Sequence, residues 1–282
     1  MSDKVTNTRW DIAQNEEKKG HVIPLADMVD HLYAHKIFVV KFLAALKDDL
    51  PLSGKQRILE IGGGPTCIFL ALREGEKYAF DPTYEHLFGL YPTLREIEEY
   101  KDVIFISSPI EKAELKGQFD LIFTLNSLDH VAQLKPIVDK IDELLCPSGK
   151  LVIVVDCYAD SLVSKIMRFF DIDLPHPHHF IAADIAHLFS NYKLVRQDLK
   201  IFEVFDDAST QAQRTGVKIY RIDKYISKMM AHLKEWGKEN DIFFILKSFI
   251  CYDLTFLIAY IRRREIPVYP LKKPRLFIFQ KQ

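Results

Sequence analysis

No C-x-x-C pair occurs in this chain, and its four cysteines, Cys67, Cys146, Cys157 and Cys251, lie far apart in 282 residues. That dispersal excludes a disulfide scaffold and a zinc ribbon, and it points to reduced, mostly buried thiols in a cytoplasmic setting. Charge of one sign is missing too. The 38 Lys and Arg nearly balance 39 Asp and Glu, for a formal net charge of −1. Nothing global marks a nucleic-acid partner, and none is expected. The opening Met1-Ser-Asp-Lys-Val-Thr-Asn-Thr contains no apolar stretch, so no secretory signal is expected. Internal repeats and low-complexity segments are absent. The length suffices for one large domain with an elaboration.

What is present centres on Arg57-Ile58-Leu59-Glu60-Ile61-Gly62-Gly63-Gly64-Pro65-Thr66. An apolar run too short for a helix meets three glycines, and a helical pattern follows over Cys67 to Arg73. This reads as a buried strand, a tight turn and a helix opening, with Pro65 suited to the first helical turn. Glycine allows positive φ and close approach of a ligand to the backbone. Such a turn at the carboxyl end of a strand is where an open α/β sheet binds its nucleotide. A dinucleotide fingerprint wants Gly or Ala where Cys67 stands, and it does not ask for an acid at Glu60.

E-I-G-G-G-P-T resembles the first motif of the class I S-adenosylmethionine (SAM) methyltransferases. Downstream segments agree. Lys77 to Pro82 reads as a short strand ending in Asp81, about the interval at which a strand–helix–strand unit returns to the ligand. Asp102 to Ser107 is a third strand, and Ser108-Pro109-Ile110-Glu111 opens the next loop. Phe119 to Leu125 is a fourth strand, followed by Asn126-Ser127-Leu128-Asp129-His130-Val131, a helix from Gln133 to Leu145, a turn at Pro147-Ser148-Gly149 and a fifth strand to Val155. F-D-L-I-F, L-D-H-V and L-L-C-P-S-G-K-L are similar to that family's fourth-strand pattern, with Ser148 in place of the usual first glycine. The resemblance implies that Glu60, Gly62, Gly63 and Gly64 hold the methionine end of SAM. It puts Asp81, followed by Pro82, at the ribose, Ile110 and Glu111 at the adenine, and Asn126 and Ser127 on the floor under the methyl group.

Away from this block the chain reads as flanking elements. Trp10 to Lys19 is a polar helix whose W-x-x-A-Q-x-x-E run is similar to the opening of some bacterial surface-glycan methyltransferases; Trp10 either docks on the core or lies over a ligand. Leu25 to Leu50 is a helix with Ile37, Val40, Phe42, Leu43 and Leu46 toward the sheet. A helix at Ala183 to Phe189 precedes a strand from Tyr192 to Phe205, and Pro274 to Phe279 is the last strand. The expected fold is an α/β doubly wound sheet of seven strands. It divides into a helical lid (1–50), a SAM-binding core (51–205), a helical insertion (206–270) and the last core strand (271–282).

Methyl transfer from a sulfonium needs alignment more than acid catalysis, and it needs a base only for a hydroxyl or protonated amine. Candidate bases are His130, after the fourth strand, His176, His178 and His179 in the loop Pro175-His176-Pro177-His178-His179-Phe180, and Asp253 in the late apolar run, which is either a buried ion-pair partner or an acceptor contact. Asp129 reads as a helix cap. No metal site is expected, because adjacent histidines seldom converge on one ion and no carboxylate lies at ligand spacing in sequence.

The expected activity is methyl transfer from SAM to a small molecule, a glycan or a lipid-linked acceptor. The rivals are an inactive SAM-fold assembly subunit and a nicotinamide-dependent oxidoreductase. The apolar run from Ile242 to Ile261, closed by Arg262-Arg263-Arg264, suggests a packed helix, a homodimer face or peripheral contact with the inner face of a membrane.

Overall fold

A computed structural model describes residues 7–158, 164–165, 176–198 and 272–282. Its strands are β1 (Arg57–Ile61), β2 (Glu76–Phe80), β3 (Val103–Ile106), β4 (Phe119–Leu125), β5 (Leu145–Tyr158), β6 (Phe180–Ile181), β7 (Tyr192–Asp198) and β8 (Lys272–Lys281). They form one sheet in the order β3-β2-β1-β4-β5-β8-β7, and the two-residue β6 pairs with the end of β5. All pairings are parallel except those of β8, which runs antiparallel to both β5 and β7. The seven-stranded path with a late antiparallel strand is the arrangement expected from sequence.

Successive strand residues point to opposite faces, so each strand feeds two cores. Leu59, Ile61, Ile122, Ile153 and Phe277 pack with Ile137 and Ile141 of helix α4 (Leu134–Leu144) and Ile185 of α5 (Ala182–Leu188). Ile58, Phe123, Val152 and Ile278 face α2 (Leu25–Ala45), which contributes Val39 and Phe42. Burial on both faces explains why these strands read as continuous apolar runs. Of the residues expected toward the sheet, Phe42 and Leu46 are buried and Leu43 packs beside them, whereas Ile37 and Val40 are exposed in one stripe with Leu25, Val29 and Tyr33. Among the described residues no helix is long and apolar enough to cross a membrane. The Ile242–Arg264 run, the 206–270 insertion, Cys251 and the stretch 199–205 lie outside the described residues.

The helix expected after the glycine turn does not form. Two short 3-10 turns, Gly64–Thr66 and Ile68–Leu70, stand in its place, with Pro65 in the first turn of the first. Between them Cys67 is extended, with ψ of 163°, which breaks the helical path. Glu60 explains the break. It shares the face of Ile58, is 1 % exposed, and its Oε2 accepts the Ile68 N–H at 2.7 Å. The acid of the first motif is thus a strut inside the turn. Likewise, β5 starts at Leu145 and runs through the expected turn, with Ser148 at φ +64° and a register shift opposite Phe119 to Leu121.

Four contacts close the carboxyl edge of the sheet. The Gly62 N–H donates to Phe80 O and the Asn126 N–H to Val154 O, each at 2.7 Å. Ser127 Oγ donates to Ile61 O at 2.8 Å and lies 2.7 Å from Thr124 Oγ1. Gly62 has φ of +75°, and a Cβ there would run into the Ser127 side chain. Gly62→Ala therefore combines a left-handed backbone with overpacking, and a loss of about 1–3 kcal/mol in urea-unfolding stability is expected.

Burial is the largest influence on Glu60 and pushes its carboxyl up from 4.5 to about 8; the nearby Asp81 carboxylate adds to this and the Ile68 N–H opposes it. A carboxyl raised in the folded state stabilises most below its unfolded value near 4.5, and that contribution is lost as pH rises through about 8. Urea midpoints should thus fall across this window. Glu60→Gln, which keeps an acceptor for Ile68, should flatten the fall. Parallel profiles for the two proteins would assign the effect to another group.

Candidate functional site

A cleft opens where β1, β2, β3 and β4 end. Gly62 follows β1, Asp81 and Pro82 follow β2, Ser108 to Glu111 follow β3, and Asn126, Ser127 and His130 follow β4; all line the cleft. Eight of the residues assigned from sequence therefore meet in one cavity: Gly62, Asp81, Pro82, Ile110, Glu111, Asn126, Ser127 and His130. Glu60, Gly63, Gly64, His176 and His179 are not part of its wall.

Asp81 is the best-held acid of the site. It is 4 % exposed; Oδ2 accepts the Gly64 N–H at 2.9 Å, and Oδ1 accepts the N–H and hydroxyl of Thr83. Oδ2 keeps an acceptor site beyond these bonds, whereas both sites of Oδ1 are taken. Gly64, with φ of +52°, has open space where a Cβ would project. Gly63 is different, since a Cβ there would press on the Cys67 side chain and the Tyr84 hydroxyl, each at 2.7 Å. Asn126 adopts φ of +50°, in the left-handed region that Asn enters more readily than most non-glycine residues.

Helix α1 (Asn7–Gly20) supplies Trp10, Gln14 and Glu17 to the cleft; sequence allowed Trp10 over a ligand, but gave Gln14 and Glu17 no role. Their spacing of four and three places them on one helical face, a signal available in W-x-x-A-Q-x-x-E. Glu17 is half-buried, and burial, with Asp81 and Asp129 nearby, raises its carboxyl to about 7. The lining holds Glu17, Asp81 and Glu111 but no Lys or Arg among the described residues. Such a wall suits a cationic ligand and opposes a pyrophosphate.

The histidines separate. The His130 ring is 4.5 Å from that of His176, centroid to centroid, and His130 Nδ1 is 3.7 Å from Glu17 Oε2. His179 is 3 % exposed, and its ring lies 5.7 Å from that of Tyr158, away from the cleft. Asp129 is not a helix cap: it sits within a 3-10 turn, Leu128–His130, and α4 starts after Gln133. Its buried carboxylate faces both imidazoles, at 3.9 Å from His130 Nε2 and 3.8 Å from His176 Nε2.

The methyltransferase domain family matches residues 30–195, more than half of the chain. No curated protein matches in sequence. Among solved structures, the YcgJ protein of Bacillus subtilis is similar with a TM-score of 0.53 at 14% identity, covering 85% of this chain and 97% of that one. Coclaurine N-methyltransferase bound to N-methylheliamine and S-adenosylhomocysteine (SAH) gives 0.51 at 13% identity, over 86% and 72%. Haemonchus contortus phosphoethanolamine N-methyltransferase 2, in complex with phosphomonomethylethanolamine and SAH, gives 0.53 at 14% identity, over 85% and 52%. At such identities the likeness is one of fold. The family match, the late antiparallel strand and an acidic cleft without basic residues agree on one answer: the chain belongs to the methyltransferase domain family and is a class I SAM-dependent methyltransferase with SAM as its methyl donor.

Proposed function

We propose that the chain methylates a hydroxyl or amine of a small molecule presented at the Ser127–His130 end of the cleft. The observation that carries this reading is the convergence of Asp81, Glu111, Asn126, Ser127 and His130 on one acidic cavity. SAM supplies an electrophilic methyl on a sulfonium, so the new bond to the acceptor forms as the carbon–sulfur bond breaks. The protein's work is to bind, align and exclude water.

In this reading Asp81 accepts a ribose hydroxyl at the free site of Oδ2, and a second at Oδ1 when the Thr83 hydroxyl gives way. Backbone groups of Gly62 to Gly64 receive the methionine end, with Glu60 acting from behind as the strut of their turn. Pro82, Ile110 and Glu111 enclose the adenosine, and Asn126 and Ser127 form the floor. Helix α1 serves as a lid through Trp10, Gln14 and Glu17. His130, with His176 beside it, meets the proton-bearing atom of the acceptor, and His179 has a structural place instead. The two N-methyltransferase neighbours hold small molecules, which supports an acceptor of that size. A glycan or lipid-linked acceptor draws its support from the N-terminal motif and from Ile242 to Arg264.

Calorimetry with SAH tests the donor site. Asp81→Ala should weaken binding by roughly 1.5–3 kcal/mol for each charged hydrogen bond lost. Gly64→Arg should reduce it further by filling the open space beside the turn. Unchanged affinity in both variants overturns the donor assignment. For the acceptor end, His130→Ala should slow transfer to a small-molecule acceptor by about 10²–10⁴-fold while SAH affinity holds. Full turnover in this variant would remove His130 from the reaction.

A further inference from the structure

We propose that Asp129, His130 and His176 form a binding site for one divalent transition-metal cation at the acceptor end of the cleft. The three side chains come from two loops, and one ligand atom from each lies within 4.8 Å of the others. The chain separates His176 from the other two by more than forty residues, so their spacing in sequence gave no sign of a site. The Asp129 carboxylate stands between the rings, with Oδ1 toward His130 Nε2 and Oδ2 toward His176 Nε2. Those separations of 3.9 and 3.8 Å are too long for hydrogen bonds. Ligand atoms about 2.1 Å from a shared ion stand roughly 3–3.5 Å apart, so the carboxylate–imidazole distances need to close by about half an ångström and the widest pair, within 4.8 Å, by about an ångström, a shift that side-chain rotation can supply.

Two further observations favour an ion over a loose polar cluster. Asp129 is 3 % exposed, and its buried Oδ1 has no hydrogen-bond partner among the described residues. A buried carboxylate oxygen without a donor is costly, and a cation would satisfy it. The two loops are also fixed against each other: the His178 N–H donates to Asp129 O at 3.2 Å, and His178 Nε2 lies 2.8 Å from Val131 O. A site held this way needs little reorganisation on binding. Glu17 on the far side of His130 is placed as an outer carboxylate for the ligating ring.

Two imidazoles and one carboxylate suit zinc, iron(II), cobalt(II) or manganese(II) better than magnesium or calcium. Three protein ligands leave coordination positions open, and one of the three, His130, lines the cleft. This part of the inference rests on the cleft being the acceptor site. It assigns the acceptor to molecules with an oxygen donor able to ligate such a cation, a hydroxyl beside a second oxygen in particular.

The test uses the full chain, stripped with a chelator and titrated with Co²⁺ by calorimetry and visible absorption. One equivalent should bind with ligand-field bands. His176→Gln and Asp129→Asn should each weaken uptake tenfold or more and lose those bands. SAH calorimetry on the same samples shows whether the cleft remains formed in each variant. No uptake by the unaltered chain, or uptake undiminished in both variants, overturns the cation site. If SAH binds normally in that case, the methyltransferase reading stands, with His130 and His176 acting on the acceptor directly. Failure of SAH to bind the unaltered chain would instead overturn the donor site.

Discussion

The Asp81 carboxylate is the interaction on which the site depends. It lies at the end of β2, yet it holds the Gly64 N–H from the turn after β1 and organises its own loop through Thr83. One buried acid therefore sets the distance between two strand ends. Glu60 works on the same turn from the opposite face, where its carboxyl, raised toward neutrality by burial, accepts the Ile68 N–H. The glycine turn is held between two carboxylates, one facing the cleft and one facing the core. A hydrogen-bonded frame of this kind fixes the backbone of the turn before any ligand arrives, and preorganisation lowers the ordering cost of binding.

Closure at the β4 edge depends on the absence of a side chain rather than on its presence. Gly62 leaves room for Ser127, whose hydroxyl reaches back to Ile61 O. Adding a methyl at Gly62 would separate the two loops that form the cleft floor. The left-handed backbone at Asn126 belongs to the same device, since it turns the chain sharply after β4 while its N–H still bonds to Val154. Positive φ at a non-glycine residue is tolerated where surrounding bonds over-determine it, as they do here.

Much of this was legible in the sequence, and the failures have physical causes. Short apolar runs ending in Gly, Asp or Asn mark parallel strands and their ligand-facing ends, so β1 to β4 and eight residues of the cleft wall could be read directly. The helix after Gly64 could not, because its apolar pattern is real but the extended backbone of Cys67 interrupts it. Ile37 and Val40 of α2 were misread for a related reason: apolar residues surround that helix, and periodicity alone does not say which stripe meets the sheet. Helix α1 hid its role because Gln14 and Glu17 look like ordinary surface residues until a cleft is known to lie beneath them. The Asp129, His130 and His176 cluster is a matter of long-range packing between two loops.

Charge placement in the cleft follows the demands of the reaction. A sulfonium loses positive charge as its methyl departs, so a fixed anion beside the sulfur would stabilise the ground state more than the transition state. Carboxylates help binding without slowing transfer only if they act away from the reacting carbon. In the proposed placement Asp81 and Glu111 serve the ribose and adenine, while the floor under the methyl is made of neutral Asn126 and Ser127. The Glu60 carboxylate, the one nearest the start of the glycine turn in sequence, is screened from the cleft by the turn itself and is biased by burial toward its neutral form. The cavity can therefore be acidic enough to select a cationic donor while the floor under the methyl group itself carries no fixed charge.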